Sequence, residues 1–217
     1  MNKAIKYYLA TYNFVAFAFW ALYLLYFCAT GFKINVYSLV FLNIAQGLAL
    51  LEILHALLKW VKSPVGSTIA QVASRILVVV LIDNYVMAMV AVGLSFIGPS
   101  AVALSKAAEG HFTLTDIGII VVSFAWSITE LVRYSLYFLS LFGRQPKWLL
   151  WMRYSFFIGL YPMGVTGEWI ILLAPICFVH FAITGYACFI GVLFLAYAYY
   201  FPVLYGYMWK QRKAKLA

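Results

Sequence analysis

Charge is scarce in this sequence. Only 10% of the 217 residues are Asp, Glu, Lys or Arg, and only six are acidic. A soluble domain has about a quarter charged residues, so the chain lacks the polar surface that keeps a domain in water. Cysteine is nearly absent too. Cys28, Cys177 and Cys188 lie in apolar stretches with no C-x-x-C pair and no metal spacing, which excludes a disulfide framework and leaves them as packing residues. The three histidines, His55, His111 and His180, are scattered and do not make up a ligand set for a metal ion. Internal repeats, low-complexity tracts and any segment with the composition of a soluble domain are also missing.

What fills the chain is apolar. Hydrophobic residues make up 66% and aromatics 19%, a composition for which lipid is the solvent and rings gather at the lipid–water interface. Six runs are long enough to cross a bilayer: Tyr8–Thr30, Tyr37–Leu58, Ile76–Ile97, Thr115–Phe142, Leu149–Phe178 and Ile183–Trp209. The first begins after Lys3 and Lys6, as a signal peptide does, but it is too long and too aromatic for a signal core and reads as an uncleaved span. The fourth and fifth exceed the ~20 residues a bilayer needs, so they tilt, bend or protrude. The fold class expected is all-α: a polytopic membrane helix bundle of six transmembrane helices, forming a single domain over residues 1–217.

The net charge of +9 is distributed by side rather than in a patch. Lys3, Lys6, Lys59, Lys62, Arg75, Arg144, Lys147, Arg153, Lys210, Arg212, Lys213 and Lys215 fall on one side of the six spans; Lys33 and Lys106 fall on the other. Twelve against two is a positive-inside signature, and it places both termini in the cytosol. It also replaces the nucleic-acid reading that the same charge would invite in a soluble protein. The C-terminal Lys213-Ala214-Lys215-Leu216-Ala217 has the K-x-K-x-x form of a retrieval signal of the endoplasmic reticulum.

Ionisable groups within the spans are costly and face the bundle interior. Glu52 and His55 are three apart on one helix face, and read as a buried polar pair that fixes packing or as a substrate contact. Glu130 and Arg133 have the same spacing, continued by Tyr134 and Tyr137; the pair either neutralises itself or holds a positive group for an anionic species. Asp83 lies deep in the third span and needs a partner or a proton.

Tyr161-Pro162-Met163-Gly164-Val165-Thr166-Gly167-Glu168 is the most informative segment. Seven residues make nearly two helical turns, so Tyr161 and Glu168 share a face about 10 Å apart along the axis. Pro162, Gly164 and Gly167 are expected to loosen this helix, and loosened backbone at membrane depth lines a cavity or is buried in protein. A phenol and a carboxylate on one cavity can serve as acid and base; equally, Tyr161 can be a packing residue and Glu168 an interfacial one.

Several motifs fall in order along the chain. Trp126-Ser127-Ile128-Thr129-Glu130-Leu131-Val132-Arg133-Tyr134 has the form W-S-x-x-E-x-x-R-Y, and Arg153-Tyr154 precedes Leu160-Tyr161-Pro162-Met163-Gly164 and Glu168. Tyr12-Asn13, Leu51-Glu52-Ile53-Leu54-His55, Ser63-Pro64, Gln71, Ser74-Arg75, Met208 and Gln211-Arg212-Lys213 complete the set. Together they resemble the very-long-chain (3R)-3-hydroxyacyl-CoA dehydratases of the endoplasmic reticulum membrane.

The resemblance implies dehydration of a 3-hydroxyacyl-CoA to the trans-2-enoyl-CoA, the third step of fatty-acid elongation, with neither metal nor redox cofactor. It implies Tyr161 and Glu168 as catalytic, with Glu130, Arg133, Tyr134, Arg153, Glu52 and His55 in support. Implied partners are the acyl-CoA substrate, the lipid membrane, and the condensing enzyme, ketoacyl-CoA reductase and enoyl-CoA reductase of the cycle. Arg75, Lys147 and Arg153 are expected on the cytosolic rim, either to hold the CoA phosphates or simply to orient the chain. Members of this family have also been described as tyrosine-phosphatase-like. That chemistry needs a Cys followed closely by an Arg, and no cysteine here has that setting. A catalytically silent relative that scaffolds the elongation enzymes is the alternative.

Overall fold

The computed structural model describes residues 2–95, 113–173 and 183–216. Among them are seven α-helices and no strand: α1 (Lys3–Ala29), α2 (Val36–Leu57), α3 (Val65–Ser95), α4 (Leu114–Leu141), α5 (Lys147–Ser155), α6 (Phe157–Leu173) and α7 (Ile183–Leu216). Lys106, His111, Cys177 and His180, and the C-terminal ends expected for the third and fifth spans, lie outside the described residues. Five helices are long and apolar enough to cross a membrane, and α5 with α6 passes the same test as one bent span. A helix satisfies its own backbone polar groups, so lipid can surround it without cost.

Helix ends are set by local chemistry. Asn35 and Ser38 close a capping box on α2, and Thr113 and Asp116 close another on α4. The C-terminal end of α4 turns at Gly143, whose φ of 72° is the left-handed conformation that glycine adopts freely. The end of α2 makes the same turn without a glycine: Lys59 has φ 55°, and the Trp60 amide donates back to the His55 carbonyl at 2.9 Å.

α4 is the hub. It packs most extensively on α6 and α1, while α2 joins the bundle through α1 and α3. The α4–α6 crossing is close because both helices have glycine at the contact. A Cβ on Gly167 would lie 2.7 Å from Val122 Cγ2 and 3.0 Å from the Gly118 carbonyl oxygen, and a Cβ on Gly118 would lie 3.1 Å from the Gly167 carbonyl oxygen. Small residues at such crossings let backbones approach where lipid offers no hydrophobic drive.

Two expectations need correction. α3 begins at Val65 rather than at Ile76, so Arg75 is ten residues inside a helix and faces the bundle instead of standing on a rim. The fifth span is bent by 42°, but the break is at Phe156, ahead of Pro162, and the helix continues through Gly164 and Gly167. Proline distorts the turn before it, because its ring crowds the carbonyl four residues back and it has no N–H to offer that carbonyl. Ile158 is four residues back, and its carbonyl accepts from the Tyr205 hydroxyl of α7 at 3.2 Å. Gly167 is therefore a packing residue, not a point of loosening.

Candidate functional site

Four charged side chains from three helices meet in the bundle. Arg133 of α4 donates from Nη1 to Glu52 Oε2 at 2.6 Å and from Nη2 to Glu52 Oε1 at 2.7 Å. Its Nε donates to Glu130 Oε2 at 2.7 Å. The other oxygen of Glu130 pairs with Arg75 of α3. Two carboxylates thus face two guanidiniums, and the group is neutral as a whole. Glu130 is only 1% exposed, a burial that a carboxylate tolerates when paired and hydrogen-bonded.

Tyrosines complete this cluster. Tyr134 donates to Glu52 Oε1 at 2.6 Å, and Tyr12 of α1 donates to the Leu48 carbonyl at 2.9 Å and to Glu52 Oε1 at 3.3 Å. Glu52 and His55 do share a face, but no hydrogen bond joins them among the described residues. His55 Nε2 is 3.0 Å from the Tyr8 hydroxyl, and its ring stacks on Trp60. Glu130 and Arg133 do pair within α4, yet each also reaches a second helix. Asp83 takes its hydrogen bond from Asn43 Nδ2 of α2 at 2.9 Å.

One helical turn from Glu130 on α4, the Trp126 indole points at α6. Its Nε1 donates to Glu168 Oε1 at 3.1 Å. Tyr197 of α7 donates to Glu168 Oε2 at 2.7 Å. Arg75 connects the two clusters, since its guanidinium carbon lies 5.5 Å from the centre of the Trp126 ring. Glu168 is buried, with both oxygens held by donors from two other helices.

Tyr161 is held by its ring. It stacks on Phe201 at 5.1 Å and on Tyr205 at 6.1 Å between centroids, both nearly parallel. Its hydroxyl makes no hydrogen bond among the described residues. Tyr161 and Glu168 both meet side chains of α7, and no hydrogen bond joins the two among the described residues. Beyond Trp169, an open groove of about 500 Å³ is lined by Trp169, Leu173, Ile190, Gly191 and Phe194. Arg153, on α5, forms no ion pair among the described residues.

Tyr197 belongs to none of the sequence motifs, and Trp126 enters them only as their first residue. A signal for Tyr197 exists. Tyr197, Phe201 and Tyr205 recur every four residues, an aromatic stripe on one face of the last helix. Of the two described cysteines, Cys28 and Cys188, both are free and neither has an arginine near it in sequence. The thiolate-and-arginine site of a tyrosine phosphatase is not formed by either.

Along its sequence the chain is similar to known proteins. The chain is 37% identical to the very-long-chain (3R)-3-hydroxyacyl-CoA dehydratase PASTICCINO 2 of Arabidopsis thaliana over 168 residues, 74% of this chain and 65% of that protein. It is 30% identical to the mouse very-long-chain (3R)-3-hydroxyacyl-CoA dehydratase 2 over 229 residues, 97% of this chain and 81% of that protein. The chain therefore spans somewhat less than two-thirds of the plant relative's length. No solved structure matches. Residues 46–217, which carry every member of both polar clusters except Tyr8 and Tyr12, match the family described as protein tyrosine phosphatase-like protein, PTPLA, and the chain belongs to that family.

Proposed function

We propose that this protein dehydrates long-chain 3-hydroxyacyl-CoA to trans-2-enoyl-CoA, with Glu168 as base and Tyr161 as acid. The observation that carries the reading is the contrast between these two side chains on one helix. Glu168 is buried and fixed through both oxygens, while Tyr161 has a clamped ring and a hydroxyl that is unengaged among the described residues. The names of the relatives supply the substrate class.

The chemistry suits the pair. Glu168 takes the proton from C2, beside the thioester, and the C2=C3 double bond forms as the C3–O bond breaks. Hydroxide is a poor leaving group, so Tyr161 gives its proton to the departing oxygen, which leaves as water. The cycle closes when Glu168 gives up its proton and Tyr161 regains one, both by exchange with water, which includes the water released. The α6–α7 groove beside Trp169 accepts the apolar acyl chain. Lys147 and Arg153, in the first and last turns of α5, meet the CoA phosphates in this reading.

This reading includes six crossings with both termini in the cytosol, residence in the endoplasmic reticulum membrane, and association with the condensing enzyme and the two reductases of elongation. The test is dehydration of long-chain 3-hydroxyacyl-CoA by purified, detergent-solubilised protein. Wild type is compared with Tyr161→Phe and Glu168→Gln, each checked for folding. Turnover by wild type and a loss of about a hundredfold or more in both variants is expected. Turnover that survives both changes removes the pair from the mechanism.

A further inference from the structure

The reaction proposed above uses one phenol, Tyr161, yet the phenol that reaches the Glu168 carboxylate belongs to Tyr197, on the last helix. We propose that Tyr197 is a positioning residue of this site: its hydroxyl fixes the Glu168 carboxylate in the orientation from which it takes the C2 proton. The inference rests on the dehydratase reading and adds to it a residue from α7.

The geometry is specific. A glutamate side chain has three rotatable bonds, and one hydrogen bond leaves its carboxylate free to swing. Glu168 has two, to donors on different helices: Trp126 Nε1 on Oε1 and Tyr197 Oη on Oε2. Each oxygen keeps a second lone pair, so the clamp leaves the base able to accept a proton. Misplacement of a reacting group by about 1 Å is enough to cost a large part of the rate. The Tyr197 ring is itself held, edge-on to Trp169 at 5.3 Å, and its hydroxyl lies beside Ser74 of α3.

α7 is a spare supporter of the core. Val192, Leu195, Tyr199 and Val203 are exposed. Its inward stripe meets α6 at three heights. Tyr197 is on Glu168, Phe201 and Tyr205 stack on Tyr161, and the Tyr205 hydroxyl is on the Ile158 carbonyl. The register of α7 therefore sets the base and the acid together. Arg75, the nearest cation, is committed to Glu130 and does not replace the Tyr197 contact.

The test uses Tyr197→Phe, which removes the hydroxyl and keeps the ring against Trp169. Steady-state kinetics on long-chain 3-hydroxyacyl-CoA are measured with and without deuterium at C2, for wild type, Y197F, E168Q and Y197F/E168Q. We expect kcat to fall about tenfold to a hundredfold with KM within about threefold, since the contact serves the base and not binding. The C2 isotope effect should rise, because proton removal becomes slower relative to other steps. In the E168Q background Y197F should cost nothing further, as a residue acting through Glu168 must. An unchanged kcat and isotope effect in Y197F overturns the inference, and so does an equal loss in both backgrounds. If Y197F does not fold, a fluorinated tyrosine at 197 keeps ring and hydroxyl while altering the acidity of the donor. The isotope effect must then move with that acidity, and a fixed value overturns the inference. A folded wild type without dehydratase activity overturns the reading beneath; an active wild type with an indifferent Y197F overturns this inference alone.

Discussion

Arg133 grips Glu52 as a two-pronged fork, Nη1 on Oε2 at 2.6 Å and Nη2 on Oε1 at 2.7 Å, across 81 positions of sequence. The same guanidinium also holds Glu130, which holds Arg75. Charge in this bundle is balanced as a group of four, so the effect of a substitution depends on whether balance is kept.

Glu52→Gln and Arg133→Met should each destabilise the protein by about 3 kcal/mol, because each strands a charge inside the bundle. The double variant E52Q/R133M removes one charge of each sign and should cost clearly less than the sum of the two. Thermal unfolding in detergent reads all three. Additive losses would show that the two side chains do not act as a pair.

Gly167→Ala should destabilise by about 1–3 kcal/mol, since the new methyl would meet Val122 and the Gly118 backbone, and backbone cannot turn aside. Gly47→Ala is the control. A Cβ there meets nothing within 4 Å, and alanine favours a helix interior over glycine. Equal melting temperatures for the two variants would mean that the α4–α6 crossing is looser than described.

Tyr205→Phe should lower stability by about 1 kcal/mol by taking the donor from the Ile158 carbonyl, which Pro162 leaves without its helical partner. Pro162→Ala restores an N–H at that position. In the P162A background Y205F should therefore cost less, and a double-mutant cycle on melting temperature gives the coupling. No coupling would place the Tyr205 contribution in its ring stack alone.

Lys59→Gly should raise stability by up to about 1 kcal/mol. Lys59 sits at φ 55° at the end of α2, where a side chain is strained and glycine is not. A fall in melting temperature would show that the lysine makes a compensating contact.

Single cysteines at Lys59, Lys147 and Lys213, in a background without native cysteines, should react with a membrane-impermeant maleimide added to sealed microsomes. A cysteine at Lys33 should react only after permeabilisation. Labelling of all four in sealed vesicles would contradict the arrangement of crossings drawn from the basic residues.

The fold was legible wherever it depends on local composition. The run Tyr8–Thr30 became α1 at Lys3–Ala29, and Thr115–Phe142 became α4 at Leu114–Leu141. An apolar stretch in lipid has only helix available to satisfy its backbone, so hydropathy alone draws the element. It failed at α3, where the helix starts eleven residues ahead of the expected Ile76. The segment from Val65 to Arg75 carries Gly, Ser, Thr and Gln among its apolar residues, which weakens its hydropathy signal. At the fifth span the length implied a bend, but the sequence put the loosening at Pro162, Gly164 and Gly167, whereas the break is at Phe156.

Of the site, the helical period was enough to put Tyr161 and Glu168 on one face, Glu130 beside Arg133, and Glu52 near His55. Those are statements about neighbours on one helix, and a sequence contains them. The bonds from Tyr197 and Trp126 to Glu168, from Arg133 to Glu52 and from Arg75 to Glu130 cross between helices. They depend on how each helix is rotated and how closely it approaches its neighbour, and that is set by contacts such as Gly118 on Gly167. The sequence by itself determined the solvent of this protein, its helices and the faces they present. Only the tertiary structure decided which charges neutralise one another and which phenol holds the carboxylate, because hydrogen bonds reach about 3 Å and helix packing alone brings distant residues that close.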